Sequence, residues 1–385
     1  MATVQVPAAG LPLRKMLLAM LATAILTTVA MMGSAEILAR WLWPKYSDPT
    51  CLVPARLGQV YAPNCVRRER ISEGQSEILY RYNACGLRSD GPCAAEMPTG
   101  VRIALLGNSF LAGNRVNQPD SLAEVMADSL RKQCTRGIDL QNLAVEDYLF
   151  FDQYFRLDAA LKLHPSAVVL MVMPTDMFEP MSRQEWESRH APNVMRKSRI
   201  PTTDESGMSL LVRARRSLRK SRVLEITQHY VFQNLPLYVR LYRAYTDAAF
   251  GDTSDYLLAA TSPGWQKRYD DAHLILGEMA EKTRQAGARL VLVAFPQRVQ
   301  AALLELKTDE TRASATAFTK QMGAIAKASG VPYIDGLELI SSEPHPSRLF
   351  YPVDGHLNVP SQRLVAEKLA KTLEKLGIVT GDQCR

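Results

Sequence analysis

The chain has 385 residues, 47% apolar and 22% charged, an ordinary globular composition with room for one large core carrying insertions or for two domains. Its formal net charge of +7 is local: Arg196–Arg222 holds nine basic residues against Asp204 and Glu205, which accounts for the whole excess. With the remainder balanced, a globally basic nucleic-acid binder is excluded.

Residues 1–12 have no periodicity and read as part of a cytoplasmic tail, 1–15. Arg14 and Lys15 precede a stretch, Met16 to Ala35, without charge. That length crosses a bilayer as a helix, so 16–38 is expected to be a membrane anchor. The flanking Arg14 and Lys15 orient the N-terminus toward the cytoplasm, and Trp41 and Trp43 suit an interfacial belt. The alternative is a cleaved signal peptide with Gly33-Ser34-Ala35 as its small-residue site. Both place the remaining chain outside the cytoplasm; in a bacterium the anchored reading would put it at the inner membrane, facing the periplasm. Six cysteines lie beyond this segment and none forms a CxxC pair, against zinc or thioredoxin-like chemistry. In an oxidising compartment they are expected to pair; of fifteen connectivities the expected one is Cys51–Cys65, Cys85–Cys93 and Cys134–Cys384. Residues 39–100, rich in Pro, Gly and Arg, read as an extended lead-in.

Regular alternation begins at Val101. Ile103–Leu106, Ile138–Leu143, Ala167–Met173, Ala288–Phe295 and Val331–Ile334 read as strands, most of them unbroken apolar runs typical of a parallel sheet. Ser121–Lys132, Phe150–Leu163, Gln266–Ala286, Asp309–Ser329 and Gln362–Leu376 read as the helices between and after them. Five strands with intervening helices imply an α/β domain with a doubly covered parallel sheet over 101–378, followed by a tail, 379–385. Residues 179–263 break the alternation. This basic, aromatic segment is expected to be a helical insertion, with helices at Ser209–Val223 and Pro236–Phe250. Its charge fits a solvated face or, beside a membrane, an anionic lipid or acidic glycan.

Two short stretches carry chemistry. In Val101–Gly113 an apolar strand ends abruptly at Gly107-Asn108-Ser109, where open α/β sheets place ligands. A strand-ending turn uses the same residue types. Near the other end, Asp354-Gly355-His356 sets an acid two residues before an imidazole. A carboxylate on one ring nitrogen fixes the tautomer and leaves the other free to take a proton from a serine. The other histidines (His164, His190, His229, His273, His345) have no such partner at this spacing and read as structural or surface. No His/Cys/Asp cluster has metal-ligand spacing, and no cofactor is expected.

Together these stretches resemble the SGNH (GDSL-type) hydrolase superfamily, in particular its membrane-anchored bacterial branch, over about residues 80–376. Asn83-Ala84-Cys85-Gly86-Leu87-Arg88 is similar to that branch's N-x-x-G-x-R lead-in. Arg102–Phe110 matches the first block, with Ser109 as nucleophile. Asn142–Val145 with Gln153 resembles the second, Met173-Pro174-Thr175-Asp176 occupies the third, and Asp354–Asn358 matches the last, in the short DxH form also seen in relatives that acetylate exopolysaccharides. The resemblance implies a flavodoxin-like three-layer sandwich. It also implies a mechanism in which Ser109 attacks an acyl carbonyl, His356 moves its proton and Asp354 orients His356. The oxyanion candidates are the Ser109 amide, Asp147 and Thr175. The last two are departures: the family has a glycine near Asp147 and an asparagine donor at Thr175.

Two readings follow. One is a membrane-tethered serine esterase or O-acetyltransferase acting on a cell-envelope carbohydrate, in the transferase case supplied by a multi-spanning membrane partner. The other is a catalytically weak or inactive binding or assembly protein that kept the fold.

Overall fold

Each main strand is apolar on both faces, which forces a sheet covered on both sides. In the computed structural model, which describes residues 13–55, 58–74, 76–93, 100–132, 134, 137–179, 181–188, 220–308 and 313–379, five parallel strands satisfy that demand. They are β6 (Val101–Leu106), β7 (Ile138–Asn142), β8 (Ala167–Val172), β9 (Arg289–Ala294) and β10 (Tyr333–Asp335), in the order β10-β9-β8-β6-β7. All six residues of β6 and all six of β8 are buried. Helices α2 (Leu122–Arg131), α8 (Arg298–Glu305), α10 (Gly336–Ser341) and α11 (Val359–Lys375) form one covering layer; α3 (Phe150–Leu161), α7 (Pro263–Gln285) and α9 (Ala317–Ala328) form the other. This is the expected three-layer α/β architecture.

The sheet fixes where a site can lie. The chain leaves β6 for one neighbour, β7, and then returns past it to the other, β8. Strand order therefore reverses at β6, and the crevice beyond its C-terminal end is a topological switch point. Ser109 stands three residues past that end.

The lead-in departs from expectation. It forms strands β1 (Tyr46–Ser47), β2 (Leu52–Ala55), β3 (Gly58–Tyr61), β4 (Val66–Arg70) and β5 (Glu77–Arg81), arranged as a three-stranded antiparallel sheet, β1-β4-β5, and a β2-β3 hairpin. These strands pack with Tyr61, Ile78, Tyr80 and Tyr82 in a core of their own that reaches Val145, Tyr148 and Tyr351 at the switch-point crevice. The sequence hid them because β4 reads Val-Arg-Arg-Glu-Arg. Its inward positions are Arg67 and Glu69, i and i+2 on one face, paired at 3.3 Å. Two expected disulfides are present, Cys51–Cys65 and Cys85–Cys93; the third involves Cys384, which lies outside the described residues.

The helix expected over Asp309–Ser329 begins at Ala317, and α8 and α10 were not anticipated. A long helix, α1 (Leu13–Leu42), is long and apolar enough to cross a membrane. In the segment 179–263, α4 (Arg183–Glu187), α5 (Arg222–Val231) and α6 (Leu235–Phe250) are helical. Seven of the nine clustered basic residues and most of the helix expected at Ser209–Val223 lie outside the described residues, as do the tail residues 1–12 and 380–385. Helix α5 starts where Ser221 caps it, its side chain accepting from the Leu224 amide.

Candidate active site

The turn after β6 is narrow for a physical reason. A Cβ on Gly107 would lie 3.1 Å from Leu111 and 3.4 Å from the Met171 carbonyl. Asn108 is buried and ties the turn on both sides: its Oδ1 accepts from the Phe110 amide at 3.0 Å, and its Nδ2 donates to Asp176 Oδ1 at 2.6 Å. Asp176 belongs to the loop after β8 and also accepts from the Met173 amide at 2.9 Å. Burial pushes the Asp176 carboxyl up to about 7, outweighing both donors.

Arg88 of the lead-in reaches the same segment. Buried, it donates to the carbonyls of Ala112 (3.0 Å), Gly113 and Val116 (2.6 Å). Asn83 prepares it by accepting from the Cys85 and Leu87 amides. Gly86 is obligatory: at φ +68 its Cβ would stand 2.2 Å from the Tyr61 carbonyl. The N-x-x-G-x-R pattern is thus a brace for the loop that follows Ser109.

The second stretch folds back between α10 and α11. Gly355, at φ +83, turns the chain, and Tyr351 and His356 close the turn with a 2.8 Å backbone bond. This brings residues 247 apart in sequence together: His356 Nε2 lies 2.8 Å from Ser109 Oγ, and His356 Nδ1 lies 2.5 Å from Asp354 Oδ1. Phe110 stacks on the imidazole at 4.7 Å. An alcohol, an imidazole and a carboxylate in this sequence can pass a proton from serine to imidazole while the acid stabilises the imidazolium.

Asp354 is fixed from two further directions. Arg115 Nε donates to its Oδ2 at 2.8 Å, while Arg115 Nη1 pairs with Glu69 at 2.6 Å. Burial works to raise the Asp354 carboxyl, but His356 and Arg115 outweigh it and hold it well below the usual carboxylate range. Its contribution to stability is therefore fully present above the ordinary carboxylate value of 3.8 and is lost progressively as pH falls below it. Glu73, almost fully buried, accepts from the backbone amides of Val353 (3.0 Å) and Asp354 (2.8 Å) and from His229 Nδ1 at 2.8 Å. Sequence reasoning assigned none of these supports. Arg115, Glu69 and Glu73 belong to no motif; His229, bonded to Glu73, takes the structural one of its two expected roles.

Asp147 and Thr175 line the cavity that holds Ser109 and His356, and both are exposed. Asp147 has φ +61, the left-handed conformation that a glycine takes freely and Asp tolerates better than most residues. The turn at Asp147 thus has the backbone conformation that glycine favours. The cavity has a volume of about 1330 Å³. Among the described residues no group of three or more His, Cys, Asp or Glu is placed to hold a metal ion.

A parallel α/β sheet with a serine, a histidine and an aspartate in hydrogen-bonded series at its switch point defines a serine-hydrolase type of domain. Residues 256–383 match the family model described as SGNH hydrolase-like domain, acetyltransferase AlgX. The chain is thus similar to the SGNH hydrolase-like family over about a third of its length, the part that carries Asp354 and His356. No curated protein matches it by sequence. Solved structures similar to it include TesA (15% identity, 71% of this chain and 99% of that one, TM-score 0.39). An acetyl xylan esterase, AlAXEase, aligns at 13% identity over 71% of this chain and 100% of that one, TM-score 0.41. A lipase/acylhydrolase from Enterococcus faecalis aligns at 12%, over 71% and 95%, TM-score 0.39.

Proposed function

We propose that the chain is an exported, membrane-tethered serine esterase or O-acyltransferase acting on a cell-envelope carbohydrate. The observation that carries this reading is the relay Ser109–His356–Asp354 at the switch point. Ser109 Oγ bonds to the acyl carbonyl carbon as His356 takes its proton. The ester C–O bond breaks, and His356 returns the proton to the leaving oxygen. The acyl group on Ser109 then passes to water or to a sugar hydroxyl, with His356 again accepting the incoming proton and returning it to Ser109. The Ser109 amide, with a backbone amide near Asp147 and the Thr175 hydroxyl, would stabilise the oxyanion. Thr175 offers one donor where an amide offers two, so turnover is expected to be modest.

Export is supported by α1 and by the two disulfides, which persist in oxidising compartments. The family description acetyltransferase AlgX supports transfer as well as hydrolysis. In the transfer case an acyl donor must cross the membrane, which requires a multi-spanning partner; the basic segment at 196–222 would hold an acidic glycan or anionic lipid.

A second reading, a binding or assembly protein without turnover, draws on the exposed Asp147 and Thr175. Labelling with a fluorophosphonate separates the two. Modification that disappears in Ser109→Ala supports the enzyme; an intact fold with no labelling supports the binder.

A further inference from the structure

Helix α5 is patterned as an amphipathic helix, yet none of its residues is buried. One face carries Leu224, Thr227, Gln228 and Val231, spaced i, i+3, i+4 and i+7, apolar at its two ends and polar between them. All four line the catalytic cavity. Helix α6 repeats the pattern: Tyr238, Leu241, Tyr242 and Tyr245 lie at the same spacing and line the same cavity, with Leu241 40% exposed. Two helical faces, the α6 one aromatic and anchored in the core through Tyr238, therefore border the cavity that holds Ser109. The cavity, about 1330 Å³, exceeds the ~300–1,000 Å³ of ordinary small-molecule pockets. An acetyl group would leave nearly all of it unfilled.

The start of α5 is fastened to the end of α1. Glu36 accepts from Ser221 Oγ (2.8 Å) and from the Arg222 (3.0 Å) and Val223 (3.2 Å) amides, Lys45 pairs with Glu225 at 3.2 Å, and Trp43 meets His229 edge-on at 5.1 Å. With α1 read as the anchor, α5 begins near the membrane interface and extends for ten residues, about 15 Å, beside the cavity that holds Ser109.

We propose that the acyl group this site accepts is a long hydrocarbon chain, as on a lipid-borne ester, seated between α5 and α6. The assignment rests on the serine-ester reading and adds the acyl class. The bonds made and broken at Ser109 are those already given; the chain beyond the carbonyl packs against the apolar residues of the two faces.

The test is a series of p-nitrophenyl esters, acetate to decanoate, with the full chain in lipid nanodiscs. Wild type should gain about fourfold in kcat/KM per added methylene over several steps. Leu241→Trp, which fills the cavity, should lower the decanoate-to-acetate ratio at least tenfold, and Leu224→Gln should lower it less; comparison within identical nanodiscs cancels ester partitioning. A wild-type profile that is flat or falls with length, or a ratio unchanged in both variants, overturns the acyl assignment while acetate turnover leaves the serine-ester reading standing. No turnover of any ester, with no fluorophosphonate labelling, overturns both.

Discussion

The two walls of the catalytic cavity are built differently. The sheet wall comes from loops after β6, β7 and β8, where Asn108 and Asp176 are buried and hydrogen-bonded and which buried Arg88 of the lead-in braces. The helical wall comes from α5 and α6, which bury only Tyr238 and Thr246 between them. One wall fixes atoms to the tolerance a proton relay needs; the other presents apolar surface that tolerates variation in what it contacts. The contrast implies that the chemistry is determined by the sheet and the choice of substrate by the helices, joined through Glu73, which touches both His229 of α5 and the backbone of Asp354.

Breaking the sheet wall should have the largest effect. Asp354→Asn is expected to lower kcat by up to about 10⁴ with the fold intact, because the imidazole loses its tautomer constraint; ester turnover with circular dichroism as a control checks it. Arg115→Met leaves Glu69 and Asp354 without their shared cation. Urea unfolding should show a loss of about 3 kcal/mol.

Asp176 gives a pH test with a definite sign. Its folded-state value of about 7 lies above the ordinary 3.8, so between those limits the folded chain holds a proton the unfolded chain has released. Stability from this group declines as pH rises from about 4 to 7 and is level above. Asp176→Asn should remove that decline, so the difference between variant and wild type grows over the same window, by on the order of 4 kcal/mol. A constant difference across the window contradicts it.

The smallest expected effect sharpens the comparison. Glu36→Ala removes the contacts that hold the start of α5, worth about 1–3 kcal/mol. Hydrogen exchange in α5 should accelerate while the rate of Ser109 labelling changes less than about twofold. A large drop in labelling would mean that the two walls are not separable.

Much of the sheet wall was legible in the sequence. The apolar runs of β6 and β8 admit only a doubly covered sheet, and the serine turn and the Asp-x-His turn are short patterns whose spacing is itself the chemistry. The supports were not legible, because their logic is three-dimensional. Arg115 is an isolated arginine until Glu69 and Asp354 converge on it. Strand β4 looks like a solvated charge run, since its inward residues are charged and satisfied by one another and by Glu146. The helical wall reads in the sequence only as an insertion: α6 matches the helix expected at Pro236–Phe250, α5 lies almost wholly beyond the one expected at Ser209–Val223, and no local pattern signals that both line the cavity.

The central claim is that Ser109, His356 and Asp354 act as one relay. Acid-quenching the full chain during reaction with a p-nitrophenyl ester, then mapping the adduct by peptide mass spectrometry, tests this most directly. The account predicts an acyl group on Ser109, absent in Ser109→Ala and formed at least about 10³-fold more slowly in His356→Ala. An adduct on another residue, or one that forms equally fast without the imidazole, would contradict it.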